Sequence, residues 1–134
     1  MVDRPARGLL DTSVVIDLQL LDAASLPQEV TISVVTLAEL SAGPAAARDA
    51  EEKGRRQDRL QRTEAAFDPV PFDVEAARAY GRVYAAVLAH GRQPRRRLAD
   101  LQLAATALSQ GLPLVTRNEA DFRGLEGLIT IIEV

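Results

Sequence analysis

The 134-residue chain contains no cysteine and no tryptophan, and His90 is its single histidine. Without cysteine, disulfides, thiolate nucleophiles and Cys-ligated zinc sites are excluded. One histidine cannot supply a His-rich metal site, so any metal must be held mainly by oxygen ligands, which favour magnesium or manganese. The three phenylalanines and two tyrosines are too few for a broad base-stacking surface.

Apolar stretches are short throughout. None approaches the roughly 20 residues of a membrane-spanning helix, and the opening MVDRPARG contains no apolar signal core. We therefore predict a cytoplasmic protein that makes no membrane contact. The formal net charge of −3 argues mildly against non-specific nucleic-acid binding, but the basic segments 53–59 and 90–97 could hold phosphates locally. For 53–59 we favour a solvated surface, and for the arginines at 95–97, just before Asp100, a substrate role.

Strand-like and helix-like segments alternate along the chain. Strands are predicted at LLDTS, ending near Asp11, and at 30–36, 112–116 and 128–134. Helices are predicted after Asp11, from 37 to the Gly43-Pro44 break, and over 45–66, 74–91 and 98–111, with a helical turn at 118–122. The alternation predicts one α/β domain over 1–134, in which helices flank a mainly parallel central sheet in three layers.

Four acids lie near the predicted carboxyl ends of the strands, where ligands of such sheets gather. Asp11 ends the first strand, Glu39 follows the second by about one turn, and Asp121 follows the third across a short loop. Asp100 lies instead in the first turn of the helix that precedes the third strand.

Each acid also has a purely structural interpretation. Asp11 is a good helix N-cap, and Glu39 could close a capping box on Thr36. Asp121 could close a looser box on Asn118, and Asp100 could be a first-turn acid paired with one of the arginines at 95–97.

The structural interpretation is weakest for Asp100. On a helix it shares an apolar face with Leu103, Ala104 and Ala107. An ionised carboxylate is costly to bury unless it is paired or bound to a cation. If Asp100 converges with Asp11, a divalent cation would relieve their repulsion.

At four places the chain resembles PIN-domain ribonucleases, especially the VapC-type toxins of bacterial toxin–antitoxin pairs. The segments that carry the resemblance occur in the family's order: LLDTSVVID, VVTLAELSAG, LADLQLAATALSQGLPLVTRNEADF and ITIIEV. The resemblance implies a PIN-like fold and an endoribonuclease that uses Mg²⁺, or Mn²⁺, to activate water and cut transfer or ribosomal RNA. It also implies a homodimer inhibited by a cognate VapB-type antitoxin.

Carried over by position, the resemblance implies that Asp11 and Asp100 bind the metal. Glu39 would complete the catalytic pocket, either through a ligand water or by orienting the attacking water. Many members carry a fourth acid at the position of Asn118, whereas this chain offers Asp121 three residues later. The candidate substrate contacts are Thr12, Thr116, Arg117, Asn118, Arg92, Arg95, Arg96 and Arg97. The threonines could equally be helix caps.

Two rival hypotheses come from other functional classes. The amide at Asn118 favours a PIN-like binding module without catalysis, although Asp11, Glu39 and Asp100 argue against it. A receiver-like phosphoryl-transfer domain would use Asp11 as a nucleophile. It would need a second acid two positions later and a lysine after the strand at 112–116, and both are missing. We conclude that a metal-dependent ribonuclease fits the sequence best.

Overall fold

The computed structural model describes residues 4–134. The first three residues, which belong to the opening segment analysed for a signal core, lie outside the described residues. The strands are β1 (Arg7–Leu10), β2 (Glu29–Thr31), β3 (Leu114–Thr116) and β4 (Ile131–Glu133). The helices are α1 (Thr12–Ile16), α2 (Val34–Ala42), α3 (Ala50–Ala66), α4 (Val74–Ala89) and α5 (Leu98–Gln110). Short 3-10 turns occupy Leu18–Leu20, Ala23–Ser25, Pro44–Ala46, Pro94–Arg97 and Glu119–Phe122.

The strands form one sheet in the order β2-β1-β3-β4, and every pairing is parallel. The chain moves from β1 to β2 on one side and later returns to place β3 on the other side of β1. The carboxyl ends of β1 and β3 therefore meet at the point where the strand order reverses, which is where ligands bind in open α/β sheets.

Alternation along the strands separates two apolar cores. Leu9 and Leu114 are fully buried on the face covered by α4 and α5. Leu10 and Val115 are fully buried on the opposite face, with α1 and α2. Successive strand residues point to opposite faces, so each strand contributes to both cores. The predicted three-layer arrangement is confirmed, and the sheet is entirely parallel in the described residues.

Several predicted element boundaries are wrong. The strands predicted at 112–116 and 128–134 are shorter, because β3 begins at Leu114 and β4 covers only Ile131–Glu133. The second strand does not run over 30–36, because it ends at Thr31 and α2 already begins at Val34. The helix predicted over 45–66 begins only at Ala50, where the Asp49 side chain accepts the Glu52 N–H at 2.8 Å. Before that cap, the Gly43-Pro44 step ends α2 and leads into a 3-10 turn. Within residues 4–134 there is no helix with the length and apolarity to span a membrane.

Candidate active site

Asp11 follows β1 at the carboxyl edge of the sheet. Its N–H donates to the Val115 carbonyl at 2.8 Å, and 5% of the residue is exposed. The hydroxyls of Thr116 and Ser13 both donate to its oxygen Oδ2, each at 2.8 Å. Although Asp11 stands at the N-cap position of α1, its side chain makes no capping hydrogen bond. The capping interpretation is therefore wrong, and no hydrogen bond within residues 4–134 occupies the second oxygen, Oδ1.

Glu39 lies in the second turn of α2, the helix that follows β2. Ser33 caps α2 by accepting the Val35 N–H at 3.0 Å, which places Thr36 inside the helix. The capping box on Thr36 is therefore wrong. Instead, the exposed Glu39 carboxylate accepts a hydrogen bond from the Thr12 hydroxyl of α1 at 2.6 Å. This bond fixes Glu39 against the helix that Asp11 precedes.

Asp100 lies in the first turn of α5, and 29% of its side chain is exposed. Its pKa is raised from 3.8 to about 6, first by burial and then by the negative charges of Asp11, Asp121 and Glu39. Arg97, at 3.7 Å, opposes this shift. The negative charges of Asp11, Asp121 and Glu39 are thus close enough to Asp100 to add to the effect of burial on its pKa. The apolar positions predicted to share its helix face are fully buried: Leu103, Ala104 and Ala107.

Asp121 is joined to the site through Arg97. The Arg97 guanidinium donates to Asp121 Oδ1 at 2.9 Å, so one arginine lies between the carboxylates of Asp121 and Asp100. The Asn118 side-chain amide also donates to Asp121, at 3.3 Å, while the Asn118 N–H donates to Thr116 Oγ1 at 3.1 Å. The side chain of Asn118 caps nothing, so the looser capping box is wrong. The pairing predicted between Asp100 and one of the arginines at 95–97 is confirmed for Arg97.

The other arginines predicted to contact phosphate differ in whether they already bind another part of the protein. Arg95 and Arg96 are exposed beside the site. Arg117 pairs with Asp17 at 3.3 Å and donates to the Val134 carbonyl at 3.1 Å. Arg92 donates to backbone carbonyls in the loop 120–123. Arg92 and Arg117 therefore already have structural partners, and any role in binding RNA remains a prediction.

The two predicted threonines lie at the acids themselves. Thr12 donates to Glu39, and Thr116 is fully buried and donates to Asp11. Their direct role is thus to orient carboxylates, while contact with substrate stays a prediction. Ser13 and Thr36 were missed by the sequence analysis. Ser13 stands two residues after Asp11, a spacing typical of local side-chain bonding, whereas Thr36 reaches Thr12 at 3.0 Å through the fold and leaves no local signal.

The donor set fits a hard divalent cation. Within residues 4–134 no three acidic or histidine side chains are already converged around one point. Magnesium, however, retains several waters and is commonly held by one or two protein carboxylates. The two carboxylates that could form such a pair are Asp11, with Oδ1 available, and Asp100, whose ionised form is destabilised by burial and then by neighbouring carboxylates.

Comparisons with known proteins agree with this geometry. A family model described as PIN domain matches residues 8–128, which contain all of the acids discussed. The chain is 38% identical over 134 residues to Ribonuclease VapC5 of Mycobacterium tuberculosis, covering 98% of this chain and 96% of that protein. The crystal structure of VapBC-5 from Mycobacterium tuberculosis, a member of the VapBC family of toxin–antitoxin systems, aligns with a TM-score of 0.85 and 39% identity, covering 97% of this chain and 100% of that chain. The crystal structure of FitAcB from Neisseria gonorrhoeae aligns with a TM-score of 0.73 and 28% identity, covering 93% of this chain and 96% of that chain.

Proposed function

The chain belongs to the PIN-domain family, and from that premise we propose that it is an endoribonuclease, the toxin of a toxin–antitoxin pair, which hydrolyses RNA phosphodiester bonds. The names of its relatives support both parts, because a ribonuclease and a toxin–antitoxin complex each align with nearly the whole chain. The observation that carries the proposal is the position of Asp11 and Asp100. One is fixed by two hydroxyls, and the other has a pKa raised to about 6 in part by the neighbouring carboxylates.

Asp11 and Asp100 would hold the cation, which we propose to be Mg²⁺, with Mn²⁺ as a substitute. When bound, the ion supplies an activated water and neutralises negative charge on the phosphate. Ser13 and Thr116 fix one oxygen of Asp11 before the ion arrives, so little reorganisation is needed. Partners of this kind commonly strengthen metal binding 10- to 100-fold.

The other two catalytic candidates are Glu39, which acts on the attacking water, and Asp121, which positions a positive charge. Glu39, held by the Thr12 hydroxyl at 2.6 Å, orients the attacking water. Asp121 holds Arg97 beside Asp100, so the positive guanidinium lies where an anionic phosphate must approach carboxylates. This arrangement offsets part of the repulsion between substrate and site.

We propose that RNA contacts come from the rim of this site. Exposed Arg95 and Arg96 meet the phosphate backbone, and Asn118 adds an amide donor. Thr12, Arg97 and Arg117 complete the candidate set on the rim, whereas the fully buried Thr116 acts on the substrate only through Asp11, to which its hydroxyl donates. Transfer RNA or ribosomal RNA is the proposed substrate class, cut in the cytoplasm where both occur.

The antitoxin would bind a groove of about 240 Å³ between α1 and the end of α3, lined by both apolar and polar side chains. Ile16, which is 44% exposed, and Phe67 are among its apolar lining residues. We name it the α1–α3 groove; its lining residues are Val15, Ile16, Leu18, Gln19, Arg59, Arg62, Thr63, Ala66 and Phe67. A VapB-type partner there, and a homodimer of this chain, complete the proposed assembly; VapBC-5 is a relative in such a system.

Cleavage of a total RNA pool tests the proposed function. Purified protein freed of antitoxin should cut at discrete positions in magnesium, and the cuts should vanish in EDTA and in Asp100→Asn. Asp68→Asn, at an exposed aspartate outside the site, is the matched control and should cut like wild type. Folded wild type that cuts nothing in magnesium or manganese would overturn the proposal in favour of a non-catalytic binding module.

A further inference from the structure

A second groove, of about 510 Å³, begins at the candidate active site and runs along α3. Thr12 and Glu39 line it at the active-site end, with Ile16 beside them. We name it the arginine groove because four arginines line it; its full lining is Thr12, Ile16, Glu39, Leu40, Gly43, Arg48, Glu52, Arg55, Arg56 and Arg59.

Two of these arginines are committed to the protein. Arg48 and Arg56 both bind Glu52, the first at 3.0 Å, and Arg56 also donates to the Gly43 carbonyl at 2.8 Å. The hydrogen bond from Arg48 is the main reason that the pKa of Glu52 is lowered. This cluster fixes α3 to the end of α2 and builds the wall of the groove.

The other two arginines, Arg55 and Arg59, are less strongly bound to the protein. Arg59 is half-buried, and within residues 4–134 no carboxylate lies within ion-pairing distance of it. Arg55 pairs with Glu51 at 3.1 Å, but the two side chains are 61% and 86% exposed. Exposed ion pairs of this kind contribute little to stability, so the Arg55 guanidinium can readily exchange Glu51 for another anion. Arg55 and Arg59 stand one turn apart on the same face of α3.

We propose that the arginine groove holds the RNA strand on its way to the active site, with Arg55 and Arg59 binding successive parts of its phosphate backbone. The proposal rests on the proposed ribonuclease function. Charge complementarity supports it, because a polyanion can satisfy the unpaired guanidinium of Arg59 and can replace the exposed Glu51 as the partner of Arg55, in a groove that ends at the candidate catalytic acids. No aromatic residue lines the groove, so its contacts are to phosphate and carry no base preference.

RNA binding by the uncleaving Asp100→Asn protein tests the proposal. The probe is a fluorescein-labelled oligouridylate, and its affinity is followed by anisotropy as KCl is raised. Arg55→Ala/Arg59→Ala should weaken binding roughly tenfold or more at low salt. It should also reduce the slope of log Kd against log[salt] by about 1.4, since each phosphate contact on a single strand contributes about 0.7.

The matched control removes two exposed positive charges outside the groove, Lys53 on the same helix and Arg82 on α4. Lys53→Ala/Arg82→Ala should leave the salt slope unchanged. Equal slopes for the two double variants would overturn the proposal. If the alanine pair unfolds, Arg55→Gln/Arg59→Gln gives the same comparison with less loss of packing.

A labelled polyglutamate in the same titration distinguishes an acidic protein partner from RNA. If Arg55→Ala/Arg59→Ala lowers the affinity for polyglutamate and leaves the affinity for the oligouridylate unaffected, the groove is a protein site and the proposal fails. The groove and the ribonuclease function can fail separately. If wild type cuts RNA but the Arg55→Ala/Arg59→Ala variant binds RNA normally, only the groove proposal is contradicted, whereas wild type that never cuts contradicts the proposed function itself.

Discussion

Asp100 has its pKa raised from 3.8 to about 6 because it is partly buried among other carboxylates. In the unfolded chain it ionises at its ordinary value, so the folded state binds this proton more tightly. The stability that Asp100 contributes is therefore fully present below pH 3.8 and is lost as the pH rises through about 6. At neutral pH, without a cation, its charge destabilises the fold.

Asp100→Asn should therefore raise the free energy of unfolding of the metal-free protein. We expect a gain of about 1 to 2 kcal/mol at neutral pH, since a shift of two pKa units corresponds to roughly 3 kcal/mol and partial exposure screens some of it. The gain should shrink as the pH falls from 6 toward 3.8. Urea denaturation in EDTA across this pH range measures it.

Asp68→Asn serves as the control, because this aspartate is exposed away from the site. Its effect on stability should be small and should not grow between pH 4 and pH 6. A destabilised Asp100→Asn protein, or one whose gain is the same at every pH, would contradict the account of this carboxylate.

The positions of Asp11 at the end of β1 and of Asp100 in the first turn of α5 could be predicted from the sequence, because strand ends and helix faces are local patterns. The hydrogen bonds that orient Asp11 could be predicted only in part. Ser13 lies two residues from Asp11, but Thr116 reaches it from 105 positions along the chain. The ion pair between Arg97 and Asp121 likewise depends on how α5 sits on the sheet, which no local spacing encodes.

Helix α2 carries Glu39, and its start is set by Ser33. Ser33 is fully buried, its hydroxyl accepts the Val35 N–H, and it forms an isolated parallel bridge with Val70. The β-branched run over 30–36 predicts a strand that continues through Thr36, because such residues favour extended backbone. The serine cap outweighs this tendency and starts the helix at Val34.

Ser33→Ala should lower the free energy of unfolding by about 1 to 2 kcal/mol, because it leaves the half-buried N-terminus of α2 without its side-chain acceptor. Asp22→Ala is the comparison, since Asp22 caps only a short 3-10 turn on the surface. Urea unfolding at one pH measures both. Equal losses for the two variants would show that Ser33 has no special role in starting α2.

At the scale of the whole molecule, the parallel order of the strands assembles the site. The carboxyl ends of β1 and β3 bring Asp11 and Thr116 together, while α2 and α5 add Glu39 and Asp100 from either side. The alternation of elements predicted this class of fold, because parallel strands require helical crossovers. The two grooves could not be predicted, since their shape depends on how α3 packs against α1 and α2. That residues 1–134 form a single domain remains a prediction.

The grooves meet at two residues. Ile16 and Arg59 line both the α1–α3 groove and the arginine groove. A partner seated in the α1–α3 groove would therefore approach the proposed RNA path as well as the acids. The proposed inhibitor site and the proposed substrate path are thus neighbours on one face of the fold.

The central claim is that Asp11 and Asp100 together hold a divalent cation. Titration of Mn²⁺ into the protein, followed by electron paramagnetic resonance, tests it most directly. Wild type should bind the ion, Asp11→Asn and Asp100→Asn should lose it, and Thr116→Val should bind it about tenfold more weakly. Thr106→Val, which removes a buried hydroxyl bonded only to the Gln102 carbonyl, should bind Mn²⁺ normally. Asp11→Asn and Asp100→Asn proteins that bind Mn²⁺ as tightly as wild type would contradict the claim.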